Sequence, residues 1–207
     1  SLLFAFSAKA DFTGGFSLIV GSADTDGTET EKTVTGVTSE KTSASVSEDF
    51  VGASLFAEYG LDNGMSIGVD YIPLDIKLGA KSRTDTAGTP ANDDQTGNRS
   101  AEANVEGLIT VYAHVPIGPV YGIVGYHSAD VTTSETLPTS KYGDVSINGY
   151  QVGVGVKRDK LRLELAYSDF DDIEITATGN TISGDVKSQN KISADADVLA
   201  AKLSIAF

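Results

Sequence analysis

Charged side chains recur where they could line an interior: Glu58, Asp70, Glu106, Arg162, Glu164 and Lys202 each fall in a run that alternates bulky apolar residues with small or polar ones. Successive side chains of a strand point to opposite faces. These charges therefore share a face with small residues such as Ser54, Ser66, Gly68, Gly153, Gly155, Ala166 and Ser204, away from the large hydrophobics. Gathered on one inner face they set four carboxylates against two cations, with Lys157 near a turn as a third. A buried charge has to find a partner, so Arg162 is expected to pair with at least one of Glu58, Glu106 and Glu164. The surplus of negative charge would favour cations if anything passes.

Nucleophiles and metal ligands are sparse. There is no Cys, hence no disulfide framework and no thiolate metal site, and the two His residues, His114 and His127, cannot build a His-rich one. His127 and Ser128 are adjacent, which on a strand sends them to opposite faces, whereas a nucleophile and its base need one face and hydrogen-bond reach. Asp130, three residues after His127, likewise points away. No catalytic residue and no cofactor is assigned: His127 reads as a rim residue among polar neighbours, and His114 as a hydrogen-bonded interior residue. Asp169, Asp171, Asp195 and Asp197 continue the outward parity of the last two strands just beyond their apolar bands. If those strands pair, the carboxylates form one patch that a divalent cation would relieve. No calcium-loop spacing is present, so the expectation is a solvated acidic rim without a metal.

Composition sets the outer limits. A formal charge of −14 removes nucleic acid from the list of partners, since phosphate binding needs clustered Lys and Arg. A length of 207 residues suits one all-β domain. The mean hydropathy of −0.06 would suit a soluble protein, yet a transmembrane barrel exposes apolar residues only at every second position and gives the same weak average. No apolar run is long enough for a transmembrane helix. Residues 1–10, an apolar run closing on Ala8-Lys9-Ala10, read as the remnant of a secretory signal peptide. Residues 11–207 read as a single β-barrel domain.

The elements that must carry the charges are strands of period two. Leu199, Ala201, Leu203, Ile205 and Phe207 alternate with Ala200, Lys202, Ser204 and Ala206. Leu161, Leu163, Leu165 and Tyr167 alternate with Arg162, Glu164 and Ala166, and the pattern returns at Tyr150 to Val156, Ile109 to Val115, Met65 to Tyr71 and Ala53 to Tyr59. Phe12 to Val20 supply the first strand and Val120 to Thr132 one whose facing the pattern leaves open, which makes eight. Connections alternate between short turns, at Leu61 to Gly64, Pro116 to Pro119 and Lys157 to Lys160, and long polar segments at roughly 25–48, 79–103, 134–145 and 179–190. Short turns on one side and long loops on the other is the arrangement of outer-membrane barrels, with the short side periplasmic. A soluble barrel would place the apolar faces inside, but the opposite faces are too small and too rich in Gly for a water-facing surface.

From residue 11 to Phe207 the chain resembles the small eight-stranded outer-membrane barrels of the OmpA, OmpX and OmpW kind. Phe207, with Ile205 and Leu203 on its face, resembles the C-terminal assembly signal of Gram-negative outer-membrane proteins, with Ile205 where an aromatic is common. Tyr59, Tyr71, Tyr126, Tyr150 and Tyr167 near strand ends fit interfacial girdles. The His127–Ser128 pair resembles only loosely the dyad of the lipid A deacylase family. The resemblance implies a monomer in the bacterial outer membrane, in contact with membrane lipid, lipopolysaccharide and the barrel-assembly machinery. The expected function is a structural or surface role, in envelope integrity or adhesion through long acidic loops, with a lumen largely plugged by charged pairs. The alternative is a narrow porin-like channel for small solutes or cations, and a lipid A-modifying enzyme comes third. Deleting Phe207 should lower the yield of protein in the outer membrane while leaving secretion intact; unchanged outer-membrane yield by cell fractionation would remove the assembly role.

Overall fold

A computed structural model describes residues 12–32, 38–85, 97–136, 140–176, 178–179 and 189–207. One antiparallel sheet contains β1 (Phe12–Lys32), β2 (Thr38–Gly60), β3 (Ser66–Ile72), β4 (Ile76–Asp85), β5 (Gly97–Ile117), β6 (Val120–Glu135), β8 (Val145–Arg158), β9 (Leu161–Thr176) and β11 (Gln189–Ala206). The short strands β7 (Ser140–Lys141) and β10 (Thr178–Gly179) pair with each other. Strands consecutive along the chain lie side by side, β1 meets β11, and β3 pairs with both β2 and β5, so the sheet closes on itself. Strands β3 and β4 form one stave, since both pair with β5. The stave breaks at Pro73-Leu74-Asp75, where proline has no N–H to give a ladder. Counted by staves the barrel has the eight that the alternation predicts.

The short turns follow from local chemistry. Between β2 and β3, Gly64 takes φ 82° and donates to the carbonyl of Leu61, while Asn63 accepts from the Met65 amide at 3.0 Å. Gly118, at φ 64°, with Pro119 turns β5 into β6, and Asp159, at φ 53°, turns β8 into β9. At the other end the long polar segments are largely strand: β1 and β2 run 21 and 23 residues and stay paired up to Lys32 and Thr38. Thr- and Ser-rich stretches that read as loops thus extend the ladder well past the 9–11 residues that a membrane crossing needs. Residues 1–10, read as a signal-peptide remnant, lie outside the described residues.

The two faces of the wall differ. Outward, Leu18, Val20, Val51, Leu55, Ile67, Val111, Val152, Leu163 and Leu203 are all exposed and form an apolar belt around the barrel. A belt this continuous is a lipid-facing surface, because soluble monomers rarely expose such patches. The girdle residues Tyr59, Tyr71, Tyr126, Tyr150 and Tyr167 are exposed as well, and Tyr126 and Tyr150 meet edge to face at 5.3 Å. The facing of β6, which the pattern left open, is odd-inward: Ile123, His127, Ala129 and Val131 are buried, whereas Val124 and Tyr126 face out. Leu163→Arg or Leu203→Arg should cost about 2–4 kcal/mol near the bilayer midplane. Asp169→Arg, beyond the belt, should cost far less in the same urea titration in lipid vesicles; equal costs would refute the lipid-facing assignment.

Candidate functional site

At the short-turn end, alternate residues of six strands converge on an ionic cluster. Arg162 of β9 donates both arms of its guanidinium to Glu58 of β2, Nη1 to Oε2 at 2.6 Å and Nη2 to Oε1 at 3.0 Å. Tyr112 of β5 donates to the same carboxylate at 3.2 Å. Lys202 of β11 bridges Asp70 of β3 at 3.0 Å and Glu164 of β9 at 3.2 Å. Asp70 also accepts from Ser54, and Glu164 from Tyr121. The His114 ring stands between the two glutamates, Nδ1 3.2 Å from Glu58 and Nε2 3.3 Å from Glu164. An imidazolium there would balance three carboxylates with three cations. Arg162 lies over the Phe56 ring at 5.0 Å, a cation–π contact out of water, while its Nε is buried without a partner among the described residues. The small lumen residues have a use: a Cβ at Gly68 would collide with the Tyr112 ring, and one at Gly155 with Tyr121. Glycine makes room for the phenols that plug the lumen.

Glu106 is a correction. Parity places it inward with Tyr112, but it is exposed and accepts from Thr132 at 2.7 Å. The cause is a β-bulge: Glu106 pairs with Asp130 and Ile109 with Ser128, so Gly107 and Leu108 share one partner position. Gly107 sits at φ +63°, which a side chain would strain, and the extra residue turns Val105 inward and Glu106 outward. Lys157 is likewise exposed and takes no part in the cluster.

Above the cluster the interior changes character. His127 is buried at 3% exposure inside the barrel, not on its rim, with Nδ1 2.7 Å from Thr110 Oγ1 and Nε2 2.9 Å from Ser168 Oγ. Ser128 and Asp130 are exposed, on the other face. Higher still, Ile72, Ile76, Leu78, Val105, Leu108, Val131, Ile147, Phe170 and Ile173 are buried against one another. Of these, Ile72, Ile76, Leu78, Val105, Leu108, Ile147 and Phe170 line a cavity of about 80 Å³ whose floor is the ionic cluster, through Asp70, Tyr112, His114, Glu164 and Lys202. Sequence reading missed this apolar half. Val105 and Ile173 lie where a bulge reverses the parity, Val131 lies in the strand whose facing the pattern left open, and the others lie beyond the ends of the alternating runs; the signal that could have found Val105 is the bulge glycine, Gly107.

The acidic rim assembles from paired strands. Asp197 is the partner of both Asp24 and Asp169, Asp195 is the partner of Asp26, and a second bulge sets Asp171 and Asp172 opposite Asp195. Hydrogen bonding to Asp172 raises the Asp195 carboxyl above its ordinary value. No group of three or more such side chains among the described residues has the geometry to hold a metal. Leu203, Ile205 and Phe207 point outward at the short-turn end.

Removing one partner of the buried fork should be costly. Arg162→Ala strands Glu58 and is expected to lose about 3–5 kcal/mol of unfolding free energy. Lys202→Ala should lose less, because its ammonium is partly exposed and its carboxylates keep Ser54, Tyr121 and His114. Combining Arg162→Met with Glu58→Gln should recover most of the loss; a double variant no more stable than Arg162→Ala would show that the fork is not what matters.

Neither protein-family models nor curated proteins give a match to the chain. Solved structures do. The outer membrane protein OprG from Pseudomonas aeruginosa is 16% identical, covers 93% of this chain and 96% of its own length, and superposes with a TM-score of 0.52. The outer membrane protein AlkL, solved by solid-state NMR in lipid bilayers, is 15% identical over 94% of this chain and 90% of its own, with a TM-score of 0.50. Closed wall, outward apolar belt and this likeness give the chain the fold of the small outer-membrane β-barrels.

Proposed function

We propose that the outer half of this barrel is a binding chamber for small apolar molecules, closed toward the short-turn end by the ionic cluster. One observation carries the reading: the interior holds a cavity of about 80 Å³ walled by Ile19, Ile72, Leu78, Leu108, Ile147 and Phe170. Water there would find few partners, whereas an apolar solute gains roughly 25 cal/mol for each Å² it removes from water. Apolar cavities with a few convergent polar groups are the usual form of small-molecule sites. No backbone ladder joins β4 to β2 among the described residues, and a Cβ added at Gly79 of β4 would lie 3.4 Å from Val46 Cγ1 of β2. The floor disfavours a continuous aqueous path, which argues against a cation or small-solute pore.

On this reading the chain is not an enzyme: among the described residues the nitrogens of His127 meet hydroxyls rather than an orienting carboxylate. Its partners are membrane lipid, lipopolysaccharide at the acidic rim and the assembly machinery acting through Leu203, Ile205 and Phe207, and it works as a monomer. A surface role in envelope integrity or adhesion is the second reading, favoured by β1 and β2 projecting as a long paired ribbon past the belt.

Isoleucine methyl groups provide the test. With the barrel in lipid nanodiscs, n-octane should shift the methyl resonances of Ile19, Ile72, Ile76 and Ile147 in a saturable way, while the outward Ile67, Ile109 and Ile205 change only as the surrounding lipid does. Inward and outward methyls responding alike would refute the chamber.

A further inference from the structure

We propose that the chamber prefers apolar molecules bearing one uncharged hydrogen-bonding group, such as the hydroxyl or carbonyl of an alcohol, aldehyde or ketone, and that Gln151 reads this group. The proposal rests on the chamber reading and adds the ligand class. Polar side chains on the chamber wall are nearly all engaged. Lys202 is bound to both Asp70 and Glu164, Tyr112 is committed to Glu58, and both nitrogens of His127 are taken by Thr110 and Ser168. Gln151 differs. Its half-buried carboxamide lines the chamber and has no hydrogen-bond partner among the described residues.

Register explains why it is left open. On β8, Gln151 is the partner of Gly125 on β6 and of Ser168 on β9. Gly125 offers no side chain: a Cβ added there would come within 3.3 Å of Gln151 Oε1 and 3.2 Å of Thr110 Cγ2. Ser168 is already held by His127, which reaches it across the bare Gly149 and stacks on Phe170 at 5.3 Å. The carboxamide therefore lies beside a satisfied polar band, at the boundary between the ionic floor and the apolar wall.

That position defines the ligand. An amide offers two donors and an acceptor, so it can meet a carbonyl or both functions of a hydroxyl, but it carries no charge to neutralise an ion. A charged head would also have to be desolvated among apolar side chains. A pure hydrocarbon would fit the wall and leave the amide unmet. The matching molecule is a hydrocarbon with one neutral polar end.

Titration of the intact barrel in lipid nanodiscs with 1-octanol, n-octane and octanoate, with concentrations referred to the lipid phase, tests this. 1-Octanol should bind about tenfold more tightly than n-octane, the scale of one net hydrogen bond, and should shift the side-chain ¹⁵N–H₂ resonances of Gln151. Gln151→Leu should bind both at the n-octane level. If n-octane and 1-octanol bind equally to the parent, if the Leu variant keeps the preference, or if octanoate binds as well as 1-octanol, the inference fails and the chamber stands. If neither n-octane nor 1-octanol binds, the chamber reading itself falls and this inference with it.

Discussion

Everything in this molecule depends on backbone closure. In a hydrocarbon solvent an unpaired N–H or C=O has no water to turn to, so a sheet can cross only if its last strand finds its first. Here β1 does so with β11, and the broken stave β3–β4 completes the ring against β5. Closure makes every side chain either lipid-facing or inward, and period two then assigns it. The wall carries the burden of stability, while the interior is left to be polar or apolar level by level.

The interior uses that freedom in two layers. Near the short turns, carboxylates and cations face one another across a lumen narrow enough for direct contact, and the Glu58–Arg162 fork spans from β2 to β9. Their mutual pairing is what makes burial tolerable, since each charge alone would be costly to remove from water. Farther out the charges stop and aliphatic groups take over. A floor of paired charges and a wall that is apolar together enclose a cavity with one neutral amide, unpaired among the described residues, at their boundary.

Bulges are the devices that permit the change of layer. At Gly107 and at Asp171–Asp172 one extra residue slips the parity, so that Val105, Ile173 and Ile175 turn inward while Glu106 and the aspartates turn out. Without these slips the carboxylates of the outer half would point into the chamber, where they would have neither partners nor solvent.

Alternation by itself determined the number of staves, the short turns at Gly64, Gly118 and Asp159, and the lipid-facing identity of Leu163 or Leu203, because a residue's face in a regular strand depends only on its own chain. It also sets Glu58, Asp70, Arg162, Glu164 and Lys202 at inward parity, although which of them meet is a matter of register around the ring. Tertiary structure alone decided the rest. Glu106 leaves the lumen because a single glycine at positive φ breaks the count, and polar stretches that read as loops are strand because a partner strand continues beside them. His127 reaches Ser168 across two ladders, with the bare Gly149 between them, and Gln151 faces the cavity unpaired among the described residues because its neighbours on either side are a glycine and a serine already engaged. Such contacts join residues tens of positions apart, and their distances are set by how the sheet closes rather than by the chain's own period.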